Sequence, residues 1–257
     1  MPLTNTVALA LKSATTNVDV SAATAPSSGQ VLTATGTTAA TWQTPSGGTA
    51  PITYATIFET GARFNQITSG GTITFGTSGV VLDTTATGTR YANLQLQLGG
   101  SGGQVRVFAG NPTFTSAFML ANAAGADPPT SYIGIGDVTV AGTGHTFTTN
   151  HIGFKTVRAS NVDTLWATNA NGTTETATSL VGLGQNDHVE VKAIVTSGSQ
   201  VLYYYRRNGA ATFTLGATHT TNIPDSTTTS YLLQWSVSNN SVGTAMSIRV
   251  ASASYER

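Results

Sequence analysis

The sequence has 257 residues, of which only 9% are charged, and its 11 basic and 11 acidic side chains cancel at neutral pH. A nucleic-acid-binding domain usually carries an excess of Lys and Arg, so this composition argues against nucleic acid as a partner. The chain has no cysteine, which excludes disulfides, thiolate metal sites and a cysteine nucleophile. No segment reaches the roughly 20 apolar residues of a membrane helix, and residues 1–12 lack the features of a secretion signal. We therefore expect neither membrane insertion nor secretion by that route.

Residues 1–50 differ in composition from the rest of the chain. Ala, Thr, Ser and Gly dominate, and the few large apolar side chains include Val31, Leu32 and Trp42. The segment leads into Pro45–Pro51, which has the composition of a linker. The segment has too few large apolar residues to form a core alone. We therefore predict an extended segment that is ordered by other copies of the chain or by a larger assembly. The alternative is a frayed tail. Val31, Leu32 and Trp42 are the candidate residues for attachment and oligomerisation.

From residue 51 to residue 257 the sequence predicts one antiparallel β-sandwich. Short runs rich in β-branched and aromatic residues are separated by Gly, Asn and Pro. Several runs alternate apolar and polar residues, as in Leu94–Leu98 and Val189–Lys192, which is typical of antiparallel strands with one buried face. A weak helical period is confined to Ser116–Ala124. The predicted strands are, in chain order, Thr72–Phe75, Tyr91–Leu98, Gln104–Phe108, Ser116–Leu120, His151–Arg158, His188–Thr196, Val201–Arg207, Ala211–Leu215, Tyr231–Val237 and Met246–Ser254.

Two glycine-containing segments predict turns. Gly134-Ile135-Gly136 lacks the lysine and the helix of a phosphate loop and is interpreted as a hairpin turn. Asn208-Gly209 is a strong hairpin signal, because both central residues of such a turn need positive φ. If the loop consists of those two residues, one face of the hairpin carries Leu202, Tyr204, Phe213 and Leu215 and is predicted to be core. The opposite face is predicted to meet solvent, a ligand or a neighbouring subunit, and it carries Tyr203, Tyr205, Arg207, Thr212 and Thr214. A loop one residue longer would exchange the two faces.

The stretch Ala25–Pro45 resembles a segment near the start of bacteriophage tail-fibre, head-fibre and other virion surface proteins. The resemblance lies in the order of residues from Ser28-Gly29-Gln30-Val31-Leu32 to Ala40-Thr41-Trp42 and covers about a tenth of the chain. In that family the segment precedes a C-terminal module and lies nearer the particle. The resemblance implies a virion protein, assembled in the host cytoplasm, and such proteins are usually homotrimers.

The remainder of the chain, roughly residues 52–257, is similar to the concanavalin A-like lectin and glucanase jelly rolls found in phage proteins. Arg206, Arg207 and Asn208 occupy positions where that family commonly has an Asp before the turn glycine, so a sugar role for that acid does not carry over. The stretches that carry the resemblance are Gly79–Thr84, Tyr91–Leu94, Ile152–Phe154, Asn171–Thr176, Val201–Gly209 and Thr220–Pro224.

The sequence gives no support for catalysis. A glycosidase on this scaffold needs two carboxylates facing one groove, but the closely spaced pair, Asp187 and Glu190, would lie on opposite faces of a strand. The four histidines are scattered, no Gly-x-Ser-x-Gly elbow is present, and His145, His151 and Asp137 lack a further residue at metal-ligand spacing. We therefore expect no enzyme activity, no metal and no cofactor.

Sugar binding would depend on an aromatic face with a few polar groups beside it. The candidates are Trp166 together with Tyr203, Tyr205 and Arg207. The alternative is that Trp166 is core and that the tyrosines pack in the core or against a second copy of the chain.

The sequence thus predicts a phage head or tail fibre or spike that attaches through its N-terminus and displays a lectin-like sandwich to host-surface glycans. Two alternatives remain. One is a decoration or capsid-stabilising protein that binds no ligand, and the other is a glycan-degrading depolymerase.

Overall fold

The computed structural model describes the chain in segments. They are residues 10–12, 17–19, 31–34, 40–43, 54–56, 64–76, 78–84, 90–96, 106, 108–122, 130–141, 144–159, 162–196, 199–230, 233–239 and 245–256. Every regular element among them is a β-strand. The strands are, in chain order, β1 (Ala10–Lys12), β2 (Asn17–Asp19), β3 (Val31–Ala34), β4 (Ala40–Gln43), β5 (Tyr54–Thr56), β6 (Phe64–Ser69), β7 (Gly71–Gly76), β8 (Gly79–Thr84), β9 (Tyr91–Leu96), β10 (Thr113–Asn122), β11 (Thr130–Gly136), β12 (Thr139–Ala141), β13 (Gly144–Thr146), β14 (His151–Ala159), β15 (Val162–Ala170), β16 (Glu175–Leu183), β17 (His188–Thr196), β18 (Gln200–Arg207), β19 (Thr214–His219), β20 (Leu233–Ser238) and β21 (Met246–Glu256).

The chain divides into two compact units, Met1–Pro51 and Ile52–Arg257. In the first unit, β1 pairs with β2 and β3 pairs with β4, both antiparallel. The predicted division after residue 50 lies one residue from this boundary.

The second unit is an antiparallel β-sandwich, as the sequence predicts. The first sheet has the strand order β19-β18-β17-β10-β21-β8-β7, and β5 also pairs with β21. The second sheet, called the seven-stranded sheet below, has the order β16-β15-β14-β11-β20-β9-β6. The inward-facing side chains of both sheets form one apolar core, with Phe118, Phe154 and Trp235 among its largest members. Burying each such side chain stabilises the fold by about 1.5–3 kcal/mol, so the core determines which face of every strand points inward.

The Asn208-Gly209 turn forms, but the faces of its hairpin are reversed relative to the prediction. Asn208 and Gly209 have φ of 50° and 75°. The ladder between β18 and β19 resumes only at Tyr205↔Thr214, and a bulge follows between Tyr203 and Tyr204. Tyr203 is 0% exposed and belongs to the core, whereas Leu215 is 51% exposed. The prediction that Tyr203 and Tyr205 lie on the outward face is therefore wrong, since Tyr205 also packs against the core.

The neighbouring strand explains this reversal. Val191 pairs with Tyr205, and Ala193 pairs with Tyr203. Cross-strand partners share a face, and the alternation in β17 directs its valines into the core. The register with β17 therefore fixes the direction of Tyr203, which counting from the turn cannot do.

Two further predictions of elements need correction. Gly134 and Gly136 lie within β11 rather than in a turn, and the stretch with a weak helical period belongs to β10 as far as Asn122. The predicted strand Gln104–Phe108 lies partly outside the described residues, and Phe108 itself is in a turn.

Candidate functional site

The outer face of the seven-stranded sheet is mainly polar. In β20, Leu233, Trp235 and Val237 belong to the core, so the alternating Gln234, Ser236 and Ser238 point to the outer side. Cross-strand partners share a face of the sheet. Lys155 on β14 pairs with Trp166 on β15, and Ala170 on β15 pairs with Glu175 on β16, so these side chains lie on the outer face as well. The outer face thereby brings together polar groups from strands that are distant in sequence.

The β12–β13 hairpin folds over the middle of this outer face. The Val138 amide donates to Gln234 Oε1 at 2.8 Å, and Gln234 Nε2 donates to the Val138 carbonyl at 2.7 Å. His145 is hydrogen-bonded through both ring nitrogens, to Thr130 Oγ1 at 2.7 Å and to Ser236 Oγ at 2.8 Å. Side chains of the sheet thus hold the hairpin in place and satisfy their own polar atoms.

A pair of glycines makes room for Tyr132 on the same face. Gly134 and Gly153 are cross-strand partners, and a Cβ on Gly134 would lie 2.4 Å from the Tyr132 hydroxyl oxygen. That hydroxyl donates to the Ile135 carbonyl at 2.8 Å. The ring of Tyr132 packs edge-on against Phe147 and His151, so it supports the aromatic residues beside the hairpin.

Next to the hairpin, Phe147, Lys155, Trp166 and Glu175 form a cluster that we call the platform. Lys155 Nζ lies 4.4 Å from the centroid of the Phe147 ring and 5.9 Å from that of Trp166. The same ammonium donates to Glu175 Oε1 at 2.5 Å. The side chains of Lys155 and Glu175 are 12% and 25% exposed, and Trp166 is partly buried. The platform thus presents an aromatic surface beside a charged pair that solvent reaches.

A hydrogen-bonded chain supports the platform from the side of the sheet. Thr168 Oγ1 donates to Glu175 Oε1 at 2.6 Å and lies 2.9 Å from His151 Nε2. His151 Nδ1 lies 2.7 Å from the Thr149 carbonyl. Burial lowers the pKa of His151 to about 4, although the Thr149 carbonyl and the Glu175 carboxylate act in the opposite direction. Glu175 is thus held in place from two sides, by Lys155 and by Thr168.

The geometry does not bring the four predicted ligand-binding residues together. Tyr203 is buried, and its hydroxyl donates to the Thr168 carbonyl at 3.0 Å. Tyr205 is partly buried and packs against the core. Arg207 lies at the end of β18, where its Nε is 3.5 Å from Asp187 Oδ2 and its guanidinium donates to the Gly182 carbonyl. Trp166 alone lies on the outer face of the seven-stranded sheet, since its neighbours Leu165 and Ala167 are core residues.

The predicted attachment residues lie in the first unit. Val31 and Leu32 are in β3 and Trp42 is in β4, where Leu32 and Trp42 are cross-strand partners. Trp42 is partly buried.

The acidic pair considered for catalysis is occupied by other contacts. Asp187 accepts from Asn208 Nδ2 at 2.9 Å and from the Gly184 amide at 2.8 Å, and the hydrogen bond from Asn208 is the main cause that lowers its pKa. Glu190 accepts from Arg206 at 2.6 Å. In the part of the chain that the structure describes, no three His, Asp or Glu side chains converge as a metal site requires. No helix within the described segments has the length and apolar character needed to cross a membrane.

Sequence reasoning missed Phe147, Lys155 and Glu175 as members of a site with Trp166. A usable signal exists for Lys155. Counting outward from the two-residue connection between Ala159 and Val162 pairs Lys155 with Trp166, as the structure has it. No local pattern indicates Phe147, because it follows a hairpin that folds back over the sheet.

No protein-family model and no curated protein sequence matches the chain, but solved structures are similar to it. A legume lectin-like domain from Entamoeba histolytica aligns with a TM-score of 0.53 and 11% identity, over 75% of this chain and 89% of that domain. Peanut lectin aligns with a TM-score of 0.51 and 11% identity, over 80% of this chain and 97% of the lectin. The exoplasmic/lumenal domain of VIP36, in a Ca2+/Man3GlcNAc-bound form, aligns with a TM-score of 0.51 and 11% identity, over 78% of this chain and 86% of that domain. The predicted concanavalin A-like β-sandwich is therefore confirmed as the fold, and it is similar to that of legume lectin-like domains.

Proposed function

We propose that this chain is a non-catalytic, glycan-binding protein of a bacteriophage particle and that the platform is its glycan site. Residues 1–50 attach it to the head or tail and promote oligomerisation, and residues 51–257 display the sandwich to host-surface glycans. The resemblance of Ala25–Pro45 to virion surface proteins supports the location in the particle. The likeness of the sandwich to lectins, among them a domain solved with Man3GlcNAc bound, supports a sugar as the ligand.

The observation that carries the glycan site is Trp166 beside the Lys155–Glu175 pair. An indole ring covers the apolar face of a sugar well, and a few polar groups next to it fix the orientation of the hydroxyls. Trp166 is partly buried, which holds the ring in place and leaves part of it exposed. Lys155 and Glu175 supply a donor and an acceptor within one hydrogen-bonded pair.

A glycan array probed with the full-length chain tests the platform. We expect Trp166→Ala to reduce binding at least tenfold, which corresponds to about 1.4 kcal/mol. Tyr204→Ala is the matched control. Tyr204 is a partly buried aromatic residue that contacts a lysine, Lys192, but it lies on the first sheet, and its loss should leave binding unchanged. The glycan-binding function is wrong if the wild-type chain binds no glycan, and the assignment of the platform as its site is wrong if the two variants bind alike.

The place of the chain in the particle and its oligomeric state are tested separately. We expect cryo-electron microscopy of virions to place the chain on the head or tail, and size-exclusion chromatography with light scattering to give a homotrimer. A monodisperse monomer would rule out the fibre. A chain bound to the capsid with no glycan ligand would instead identify a decoration protein.

A further inference from the structure

We propose that the platform selects neutral, hydroxyl-rich sugar rings over sugars that carry a carboxylate, and that Glu175 determines this selectivity. The inference rests on the proposed glycan-binding function and specifies the ligand class of the same site. It depends on the charge balance of the outer face and on the hydrogen-bonding groups that the Lys155–Glu175 pair leaves available.

The charge balance comes first. Among the described strand residues whose side chains lie on the outer face of the seven-stranded sheet, the charged ones are Lys155 and Glu175. They form an ion pair at 2.5 Å, so their charges compensate each other. Burial lowers the pKa values of the nearby His145 and His151 to about 3 and about 4, which disfavours a positive charge on either ring. The platform therefore offers a ligand no net positive charge.

The pair also keeps hydrogen-bonding capacity for a ligand. Glu175 Oε1 accepts from Lys155 Nζ and from Thr168 Oγ1, whereas no described residue donates to Oε2. Lys155 Nζ has three N–H donors, and its hydrogen bond to Glu175 uses one of them. A sugar with two adjacent hydroxyls can donate from one to Glu175 Oε2 and accept at the other from Lys155.

A carboxylate at the same position meets a different environment. Its oxygens accept but do not donate, so they cannot bond to Glu175 Oε2, and the like charges repel each other at short range. To bind Lys155, a carboxylate would have to compete with the partner that the ammonium already has. Removing a charged group from water without full compensation is costly, so the platform favours the neutral ring.

Phe147 and Trp166 both lie beside the ammonium of Lys155. Lys155 Nζ lies above the face of Phe147 and within reach of that of Trp166, which limits the directions in which the ammonium can move. The fixed ammonium keeps Glu175 Oε1 occupied, and Oε2 remains the acceptor that a ligand meets. The aromatic residues thus provide the stacking surface and also maintain the charge pair.

The test uses an array that carries glucose- and galactose-containing oligosaccharides together with their glucuronate and galacturonate counterparts, probed with the full-length chain. We expect wild-type protein to bind the neutral member of each pair at least tenfold more tightly. Glu175→Gln should lose at least half of that preference, because the amide keeps a similar shape but leaves the charge of Lys155 uncompensated. The matched control is Glu190→Gln, which removes the same charge from a carboxylate paired with Arg206 on the first sheet, and it should keep wild-type selectivity.

The outcomes separate this inference from the proposed function. Binding that depends on Trp166 but favours the uronate members would overturn the selectivity and leave the glycan site intact. An unchanged preference in Glu175→Gln would overturn the role of Glu175. The absence of any glycan whose binding depends on Trp166 would overturn the proposed function, and the inference with it.

Discussion

At the scale of single residues, Asn169 links the two sheets to the segment after β19. It is fully buried on the inner side of β15. Its Nδ2 donates to the carbonyls of Thr221 and Asn222 at 2.8 and 2.7 Å. Its Oδ1 lies 3.2 Å from the Tyr203 hydroxyl oxygen, whose hydrogen it shares with the Thr168 carbonyl, and it contacts His219 Nδ1. One amide side chain therefore satisfies several polar groups that water does not reach.

Asn169→Leu should lower the free energy of unfolding by about 3 kcal/mol or more, because each buried group left without a partner costs about 1–3 kcal/mol. Tyr203→Phe is the matched control. It removes one hydroxyl from the same cluster, and it should cost about 1 kcal/mol. Urea unfolding followed by tryptophan fluorescence measures both values. Equal losses for the two variants would show that Asn169 does not link these elements.

The sequence was sufficient to predict the position of some side chains in the sandwich but not of others. The aromatic character and polar surroundings of Trp166 made it a candidate, and it does lie on an outer face. The local pattern placed Tyr203 and Tyr205 on an outward face, yet Tyr203 is core and Tyr205 packs against the core, because the register between β18 and β17 sets their direction. That register depends on contacts between strands, which the local pattern does not contain.

At the scale of elements, the β12–β13 hairpin depends on Gln234 for its attachment to the sheet. The buried amide of Gln234 bonds to both the N–H and the C=O of Val138 and also to Asn93 Oδ1, at 3.1 Å. Both Gln234 and Val138 are 0% exposed. A hairpin whose connection to the sheet is mainly polar is expected to open more easily than the core strands.

Gln234→Ala should therefore release the hairpin before the sandwich unfolds. We expect hydrogen exchange at the Val138 amide to accelerate at least tenfold, because its acceptor is lost, while amides of β14 and β15 keep their protection. Ser238→Ala is the control. It removes one hydrogen bond to the same hairpin, from Ser238 Oγ to the Ala141 carbonyl, and it should leave Val138 protected. Uniform acceleration across the second unit would contradict local release.

The elements themselves were predictable where alternation is regular. Strands such as His188–Thr196 carry a clear period of two, and the structure gives that strand the predicted bounds. β11 was missed because Gly134 and Gly136 suggested a turn. Their role is instead to leave room for the Tyr132 hydroxyl and for the backbone of the paired strand, which lie where a Cβ would be. This requirement arises only once β11 and β14 are paired.

At the scale of the whole molecule, the sandwich brings together strands that are far apart in sequence. β10 lies between β17 and β21, and β20 lies between β9 and β11. Composition and alternation predict two layers of antiparallel strands, but they do not give this strand order. The platform depends on the order, because β14, β15 and β16 must be neighbours before Lys155, Trp166 and Glu175 can share a face.

The stability of the whole second unit should depend on pH through the buried histidines. His151 has an ordinary pKa of 6.5 in the unfolded chain and a pKa of about 4 in the fold, because burial disfavours the imidazolium. Between these values the unfolded chain binds a proton that the folded chain does not. Stability is therefore fully present above pH 6.5 and falls by about 1.4 kcal/mol for each pH unit down to about pH 4. His145 acts in the same direction.

Urea unfolding at pH 7.5, 6.5, 5.5 and 4.5 measures this slope, and His151→Asn isolates the contribution of His151. The variant should be less stable than wild type at pH 7.5, where its packing is poorer, but the difference should shrink by about 1.4 kcal/mol per unit below pH 6.5. Carboxylates such as Asp137, whose pKa is raised by burial, affect both proteins equally and cancel in the comparison. His188→Asn, at an exposed histidine, should keep the wild-type slope. Parallel profiles for wild type and His151→Asn would contradict this prediction. They would mean that His151 accepts its proton within the fold, where hydrogen bonds from its ring to Thr168 and from Thr168 to Glu175 stabilise the imidazolium.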